Sequence, residues 1–225
     1  LTADSLAEAI EQGLDIQLNS QKEKVKYVEV FNTSFWPRTD VAKFASSVDL
    51  SRATLRDDAG NLHPLQAVGS KEWIFLAKDV PPLSSRAYII VFEKGKKPSS
   101  QTTLRMAGSQ MSNEHVSIRM NEKTGAISEL ITTSDGKNYA AAEGLNAYVY
   151  SGRNAKNPIV NETVKTIVPV AQGPVAATMR ITSAPAGTHS LQQDITLYKG
   201  LKRVDIQNVI DKKKSYEYEN IRFAF

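Results

Sequence analysis

Apolar and polar residues alternate along most of the second half of the chain. The alternation is clearest at residues 116–121, 175–182, 204–211 and 221–225. Side chains on a β-strand point to opposite faces in turn, so this pattern predicts antiparallel strands with one buried face. Residues 122–125 (Glu-Lys-Thr-Gly) predict a turn after the first of these strands. Long strands, tight turns and almost no helix predict a large β-sandwich.

Shorter runs of the same kind predict a second group of strands in the first half of the chain. They lie at residues 24–31, 54–56, 62–67, 73–77 and 88–92. Residues 57–61 contain Gly60 and predict a hairpin loop, because glycine readily adopts positive φ. Pro37 lacks a backbone donor and is expected to end the first strand region.

The first 20 residues show a different period, which predicts a helix. Apolar residues recur every four positions at Leu6, Ile10, Leu14 and Leu18, and Thr2 or Asp4 could cap the helix. A short amphipathic helix is unstable without a packing partner. Residues 1–20 are therefore expected to be the end of a helical domain.

The polar segment at residues 94–103 reads as a linker and sets the predicted domain boundary. We expect a small β domain at residues 21–97 and a larger one at residues 98–225. The sequence opens on Leu1 rather than Met, and Phe225 falls inside a strand pattern. Both ends are therefore expected to be cut from a longer chain, with the larger domain truncated.

Composition narrows the classes of function. The 225 residues carry a formal net charge of +4, 41% hydrophobic residues and no cysteine. The positive charges are scattered or placed at strand ends, which argues against a nucleic-acid partner. The apolar runs are too short for a membrane span. The absence of cysteine excludes disulfides and thiolate sites and favours a bacterial source, periplasmic or cytoplasmic.

No catalytic or metal site is predicted within the chain. His63, His115 and His189 have no metal-ligand neighbour at helical or hairpin spacing, and each is expected at the surface or at a strand end. No nucleophile elbow occurs. The adjacent Asp57 and Asp58 are expected to serve hairpin geometry, and Asp205 and Asp211 fall on the polar face of one strand.

Two tyrosine pairs are candidates for carbohydrate contact. Tyr148 and Tyr150, and likewise Tyr216 and Tyr218, lie two residues apart on predicted strands, so each pair faces one side of a sheet. Stacked rings could hold the C–H face of a pyranose. The alternative is that these tyrosines fill the sandwich core or cover its edge.

Five segments in order resemble the C-terminal region of family 38 glycoside hydrolases, the α-mannosidases. They are residues 27–41 (YVEVFNTSFWPRTDV), 113–131 (NEHVSIRMNEKTGAISELI), 173–181 (GPVAATMRI), 197–210 (LYKGLKRVDIQNVI) and 212–225 (KKKSYEYENIRFAF). The resemblance covers nearly the whole chain. It implies a galactose-mutarotase-like supersandwich, present in part, preceded by a small β-sandwich domain and the end of a three-helix bundle.

The resemblance also implies where the chemistry of the parent protein lies. Family members are retaining enzymes with an aspartate nucleophile and a zinc ion held by two histidines and two aspartates of the N-terminal catalytic domain. None of those motifs occurs here, so no catalytic or metal residue is carried over, and zinc is implied for the parent alone. The upstream catalytic domain is the expected partner. Residues 146–153 (NAYVYSGR) are the candidate rim of its active site, with Tyr148, Tyr150 and Arg153 as sugar contacts.

Three functions are thus distinguished by the sequence. The first is an accessory, non-catalytic portion of an α-mannosidase-like enzyme that hydrolyses α-mannosidic or related bonds by a zinc-assisted retaining mechanism. The second is a stand-alone carbohydrate-binding module, and the third is a purely structural β-sandwich that offers an apolar patch to a partner domain.

Overall fold

The structure is a computed structural model that describes residues 14–19, 26–92, 102–140, 142–152 and 157–225, with the backbone alone described for residues 14–19. All regular secondary structure in this part of the chain consists of β-strands, which confirms the predicted mainly β fold. No helix in the described ranges has the length and hydropathy that crossing a bilayer requires. The chain divides into unit 1, Leu1–Gln101, and unit 2, Thr102–Phe225.

Unit 1 contains two antiparallel sheets built from eight described strands. The strands are β1 (Leu14–Asn19), β2 (Tyr27–Asn32), β3 (Arg38–Ala45), β4 (Ala53–Arg56), β5 (Leu62–Pro64), β6 (Gln66–Ala67), β7 (Glu72–Val80) and β8 (Ser84–Phe92). One sheet has the order β1-β2-β8-β4-β5, and the other has the order β3-β7-β6.

The core of unit 1 lies between these two sheets. Val28 and Val30 on β2, Leu55 on β4 and Tyr88 on β8 are fully buried against Phe75 on β7. On β2 the buried residues occupy alternate positions, as expected for one inward face, whereas residues 53–55 of β4 and 73–77 of β7 are buried without alternation. Burying a side chain of this size stabilises the fold by about 1.5–3 kcal/mol relative to leaving it in water.

The predicted helix over residues 1–20 is wrong at its C-terminal end. Residues 14–19 form β1, which pairs with β2 from Leu14↔Asn32 to Asn19↔Tyr27. In this segment Leu14, Ile16 and Leu18 also alternate with polar residues, and alternation with period two is the strand pattern. Residues 1–13 and the predicted boundary between residues 97 and 98 lie outside the described residues.

Unit 2 contains three antiparallel sheets and eleven described strands. The strands are β9 (Arg105–Ala107), β10 (Gln110–Ser112), β11 (Val116–Met120), β12 (Ile127–Thr132), β13 (Ala147–Gly152), β14 (Ile159–Val160), β15 (Val164–Gln172), β16 (Ala176–Ser183), β17 (Thr188–Tyr198), β18 (Val204–Lys212) and β19 (Glu219–Ala224). Their orders are β12-β11-β10-β9, β14-β13-β19 and β15-β16-β17-β18.

The core of unit 2 joins its two four-stranded sheets. Ile118 on β11 and Ile127 on β12 belong to one buried cluster with Met179 and Ile181 on β16 and Ile195 on β17. The inward positions alternate with outward ones along β11 and along most of β16 and β17. This face-to-face packing of two antiparallel sheets is the predicted sandwich.

A buried asparagine links the turns at one end of this sandwich. The Nδ2 amide of Asn113 donates to the carbonyl oxygens of Tyr198, at 2.7 Å, and of Leu201, at 2.8 Å. Its Oδ1 accepts from the backbone amides of His115 and Val116, both at 2.8 Å. The side chain thus bonds four backbone groups, at or just before the start of β11 and at or just after the end of β17.

Replacing Asn113 by alanine is expected to lower the free energy of unfolding of unit 2 by about 1–3 kcal/mol, because four backbone groups lose a partner. Urea unfolding followed by circular dichroism measures the change. Asn220→Ala is the control, since Asn220 is exposed on β19, and it should change stability by less than about 0.5 kcal/mol. Equal losses in both variants would contradict this role for Asn113.

Candidate functional site

Tyr148 and Tyr150 lie on β13 and face the same side of its sheet, as their spacing predicts. That side is turned toward the connection between β16 and β17. The hydroxyl of Tyr148 donates to the carbonyl oxygen of Ala186 at 2.6 Å, and its ring meets Phe223 edge-on with centroids 5.8 Å apart. The side chain of Tyr148 is 1% exposed, so its ring packs inside unit 2. Burial raises the pKa of Tyr148 to about 12.

Tyr150 is half-buried beside the same connection. A Cβ added to Gly187 would lie 2.7 Å from Cε2 of Tyr150, so the glycine lets the ring approach the backbone. A hydrogen bond to Glu219 raises the pKa of the Tyr150 hydroxyl. Glu219 also forms an ion pair with Lys212, and that contact lowers the pKa of the Glu219 carboxyl.

These contacts support the core-filling alternative for Tyr148 and leave Tyr150 with a polar tip next to a charged pair. Arg153, the third predicted sugar contact, lies outside the described residues. Asn146, which precedes β13, is buried with φ of 61° and exchanges side-chain hydrogen bonds with Asn208 at 2.7 and 3.0 Å. The sugar contacts proposed for Tyr148, Tyr150 and Arg153 stay a prediction.

Tyr216 and Tyr218 lie in the connection between β18 and β19, so their predicted position on a strand is wrong. They are 89% and 74% exposed. The ammonium of Lys214 stands 4.9 Å from the centroid of the Tyr216 ring. This pair is the most exposed of the tyrosines that the sequence singles out, and its rings are open to a ligand.

His63 is buried, contrary to the predicted surface or strand-end position, because its place on β5 turns it inward. Its Nδ1 lies 3.1 Å from the carbonyl oxygen of Leu76, and its Nε2 lies 3.1 Å from Oδ2 of Asp57. Both partners are hydrogen-bond acceptors. His115 is half-buried at the start of β11, and His189 is exposed on β17.

A metal site does not fit the described part of the chain. No three histidine, cysteine, aspartate or glutamate side chains come together there in a group that could hold an ion. The chain also lacks the cysteines that bind zinc in many structural sites. The described residues therefore offer no site for the zinc ion that the resemblance implies.

Comparison with known families decides the identity of unit 2. The family model of the glycosyl hydrolases family 38 C-terminal domain matches residues 111–224. The chain belongs to glycosyl hydrolase family 38. The match begins on β10 and ends on the last residue of β19, so it spans most of the sandwich described above. No curated protein sequence is similar enough to the chain to count as a match.

Solved structures share the fold of this family 38 chain. An alpha-mannosidase from Enterococcus faecalis V583 is 12% identical with a TM-score of 0.66, over 98% of this chain and 33% of the other. A protein in the glycosyl hydrolase family 38 from Enterococcus faecalis is 13% identical with a TM-score of 0.65, over 98% of this chain and 35% of the other. The chain thus spans about a third of the length of these relatives.

Glycosidases use two carboxyl groups, about 5–5.5 Å apart in retaining enzymes, and the carboxylates noted in the sequence do not form such a pair. Asp205 and Asp211 lie six residues apart on β18, which separates them by about 20 Å. Asp58 is exposed and lies 3.5 Å from Arg86. Asp205 accepts from Tyr198 at 2.8 Å and pairs with Arg203 at 2.9 Å.

Asp57 is bound inside unit 1 rather than presented to a substrate. Its Oδ1 accepts from the backbone amide of Asn61 at 2.7 Å, which closes the predicted hairpin, and its Oδ2 accepts from the Asn61 side chain at 3.0 Å. Burial opposes ionisation of this carboxyl, but the hydrogen bonds from Asn61 and His63 outweigh it and lower the pKa to about 2. The sequence pattern predicts a hairpin position for Asp57 and a surface or strand-end position for His63, and it does not predict that they pair.

The lowered pKa of Asp57 predicts how the stability of unit 1 depends on pH. The folded pKa of about 2 lies below the ordinary aspartate value of 3.8, so the contribution of the ionised carboxyl is present above pH 4 and is lost as pH falls through 2. Asp57→Asn should therefore destabilise unit 1 at pH 7 by about 1–3 kcal/mol, with a smaller difference from wild type near pH 2.

Urea unfolding at a series of pH values measures this difference by tryptophan fluorescence, since Trp36 and Trp73, the chain's two tryptophans, lie in unit 1. Asp58→Asn is the matched control at the exposed neighbouring aspartate. A destabilisation by Asp57→Asn that stays constant from pH 7 to pH 2 would show that ionisation of Asp57 does not stabilise the fold.

Proposed function

We propose that this chain is an accessory, non-catalytic part of a longer family 38 glycoside hydrolase that cleaves α-mannosidic or related bonds. The observation that carries the proposal is the match of residues 111–224 to the C-terminal domain of the family. Of the carboxylates noted in the sequence, Asp57 is hydrogen-bonded inside unit 1, and Asp58 and Asp205 lie beside arginines. Asp205 and Asp211 are too far apart to act as a catalytic pair. The chemistry is therefore assigned to the part of such an enzyme that lies outside this chain.

The substrate class comes from the resemblance and from the related structure. The Enterococcus faecalis V583 protein is called an alpha-mannosidase, and this chain aligns with a third of its length. For the parent of this chain we propose the same class of substrate, a retaining mechanism and a zinc ion bound in the catalytic part. A bacterial source, periplasmic or cytoplasmic, fits the chain's lack of cysteine.

The contribution of this chain itself is structural support for that catalytic part. Unit 2 is a sandwich whose third sheet is fixed by buried contacts of Tyr148 and Asn146. A rigid sandwich of this kind can hold a neighbouring domain or a rim segment in place. The expected partners are thus a catalytic domain of the same protein and, through it, a carbohydrate.

The chain alone is expected not to hydrolyse 4-nitrophenyl α-mannoside, with or without added zinc, because the carboxylates noted in the sequence form no pair and the described residues hold no group of metal ligands. Release of 4-nitrophenol, measured by absorbance, should not exceed the rate of spontaneous hydrolysis in buffer without protein. The longer enzyme, assayed in parallel, is the positive control. Saturable turnover by the chain alone would overturn the proposal of an accessory role.

A second candidate function is direct carbohydrate binding, which the exposure of Tyr216 and Tyr218 favours. Two open rings two residues apart can stack on pyranose faces. Tyr150 lies on β13, which pairs with β19 directly after these tyrosines. Within this candidate, Tyr150 and Arg153 are the proposed additional contacts, while the buried Tyr148 supports the strand.

Binding of an α-linked mannose oligosaccharide is expected to weaken at least tenfold in Tyr216→Ala/Tyr218→Ala, as measured by isothermal titration calorimetry. Tyr139→Ala removes another exposed tyrosine and should leave the affinity unchanged. Tyr148→Phe should also bind as wild type does, because its hydroxyl contacts only Ala186. A wild-type titration without heat, or equal weakening by Tyr139→Ala, would rule out this function for the pair.

A further inference from the structure

One end of unit 1 carries three large apolar side chains that are open to solvent. Phe35 is 80% exposed, Trp36 is 64% exposed and Leu83 is 64% exposed. Phe35 and Trp36 lie between β2 and β3, and Leu83 lies between β7 and β8. The two connections touch, since the backbone amide of Leu83 donates to the carbonyl oxygen of Ser34 at 3.0 Å. We call these three residues the aromatic loop surface.

A buried asparagine fixes the backbone beneath this surface. The Nδ2 amide of Asn32 donates to the carbonyl oxygens of Trp36, Val80 and Pro81 at 2.8, 2.9 and 3.1 Å. Its Oδ1 accepts from the backbone amide of Ser34 at 3.0 Å. Asn32 is 1% exposed, so an interior side chain holds both connections and presents Phe35 and Trp36 in a set position.

The backbone at this end of unit 1 is also strained. Asp79 and Leu83 both have φ of 48°, in the left-handed region, which aspartate tolerates and leucine rarely adopts. Asp79 is compensated by a hydrogen bond from its backbone amide to Oγ1 of Thr39, at 2.9 Å. Leu83 keeps this conformation with its side chain in water, and strain of this kind concentrates at binding surfaces.

The chemistry around the aromatic loop surface favours an apolar protein partner over a sugar. A sugar site needs polar groups that can bond hydroxyls beside the stacking ring. Here Asn32 and Ser34 bond each other and the backbone, and Arg38 pairs with Asp40 at 2.7 Å. Thr39 and Asp79 are likewise bonded to each other at 3.1 Å. The largest open groups at this end of unit 1 are hydrocarbon and aromatic faces, which bind by burial.

We propose that the aromatic loop surface is the site where this chain docks onto the catalytic part of its own family 38 enzyme. The inference rests on the proposed function and adds the residues that make the contact. A longer enzyme would supply the partner for this surface, since about two thirds of the length of each solved relative lies outside the part that matches this chain. Phe35 and Trp36 are the anchors, because aromatic side chains on a fixed backbone bind with little loss of conformational freedom.

The test measures the affinity of this chain for the catalytic part of the same enzyme, produced as a separate polypeptide, by isothermal titration calorimetry. Phe35→Ser/Trp36→Ser removes the anchors and leaves the hydrogen bonds of Asn32 intact, because Asn32 bonds the backbone carbonyl of Trp36 and not its side chain. The matched control, Leu62→Ser/Val68→Ser, removes two other exposed apolar side chains of unit 1, which are 53% and 42% exposed. Thermal unfolding checks that both variants fold as wild type does.

The inference predicts a Kd at least tenfold higher for Phe35→Ser/Trp36→Ser and a Kd within twofold of wild type for the control. Wild-type affinity in Phe35→Ser/Trp36→Ser would overturn this surface and leave the proposed function standing. Failure of the wild-type chain to bind the catalytic part would contradict the proposed function, and the inference with it.

A second titration separates the sugar alternative. Addition of an α-linked mannose oligosaccharide should leave the tryptophan fluorescence of wild type unchanged, since the inference assigns Trp36 to a protein contact. A saturable change that disappears in Trp36→Ser would assign the surface to a carbohydrate and overturn the inference.

Discussion

Unit 2 depends on the burial of one apolar face from each of its two four-stranded sheets. Ile118 and Ile127 on one side, and Met179, Ile181 and Ile195 on the other, form a single core. The third sheet is joined to the turn between β16 and β17 by Tyr148, whose ring is buried and whose hydroxyl donates to the carbonyl oxygen of Ala186. A side chain predicted to contact a sugar is thus part of the packing that holds the sandwich together.

Closing these sandwiches leaves backbone groups at their ends, and each unit solves the problem with a buried asparagine. Asn113 bonds carbonyl oxygens and amides of two turns in unit 2. Asn32 bonds the equivalent groups in unit 1. An amide suits this position because one side chain supplies both donors and an acceptor. In unit 1 the hydrogen bonds of Asn32 also fix the loop that exposes Phe35 and Trp36.

The strands with clear alternation could be predicted from the sequence, because period two follows directly from one buried face. The prediction of secondary structure was wrong where a helical and a strand pattern overlap. Leu14 and Leu18 fit a helical period of four and a strand period of two, and pairing with β2 decides between them. The exposure of Tyr216 and the burial of His63 depend on where β5, β18 and β19 begin and end. Long-range register of this kind has no local signal.

We propose that the chemistry of the family lies outside this chain, and the zinc content of the purified chain tests this proposal most directly. Metal analysis of the purified chain, after dialysis against zinc and then against buffer, measures bound zinc per molecule. We expect no stoichiometric zinc in this chain and about one ion per molecule in the separately produced catalytic part. Stoichiometric zinc retained by this chain would contradict it.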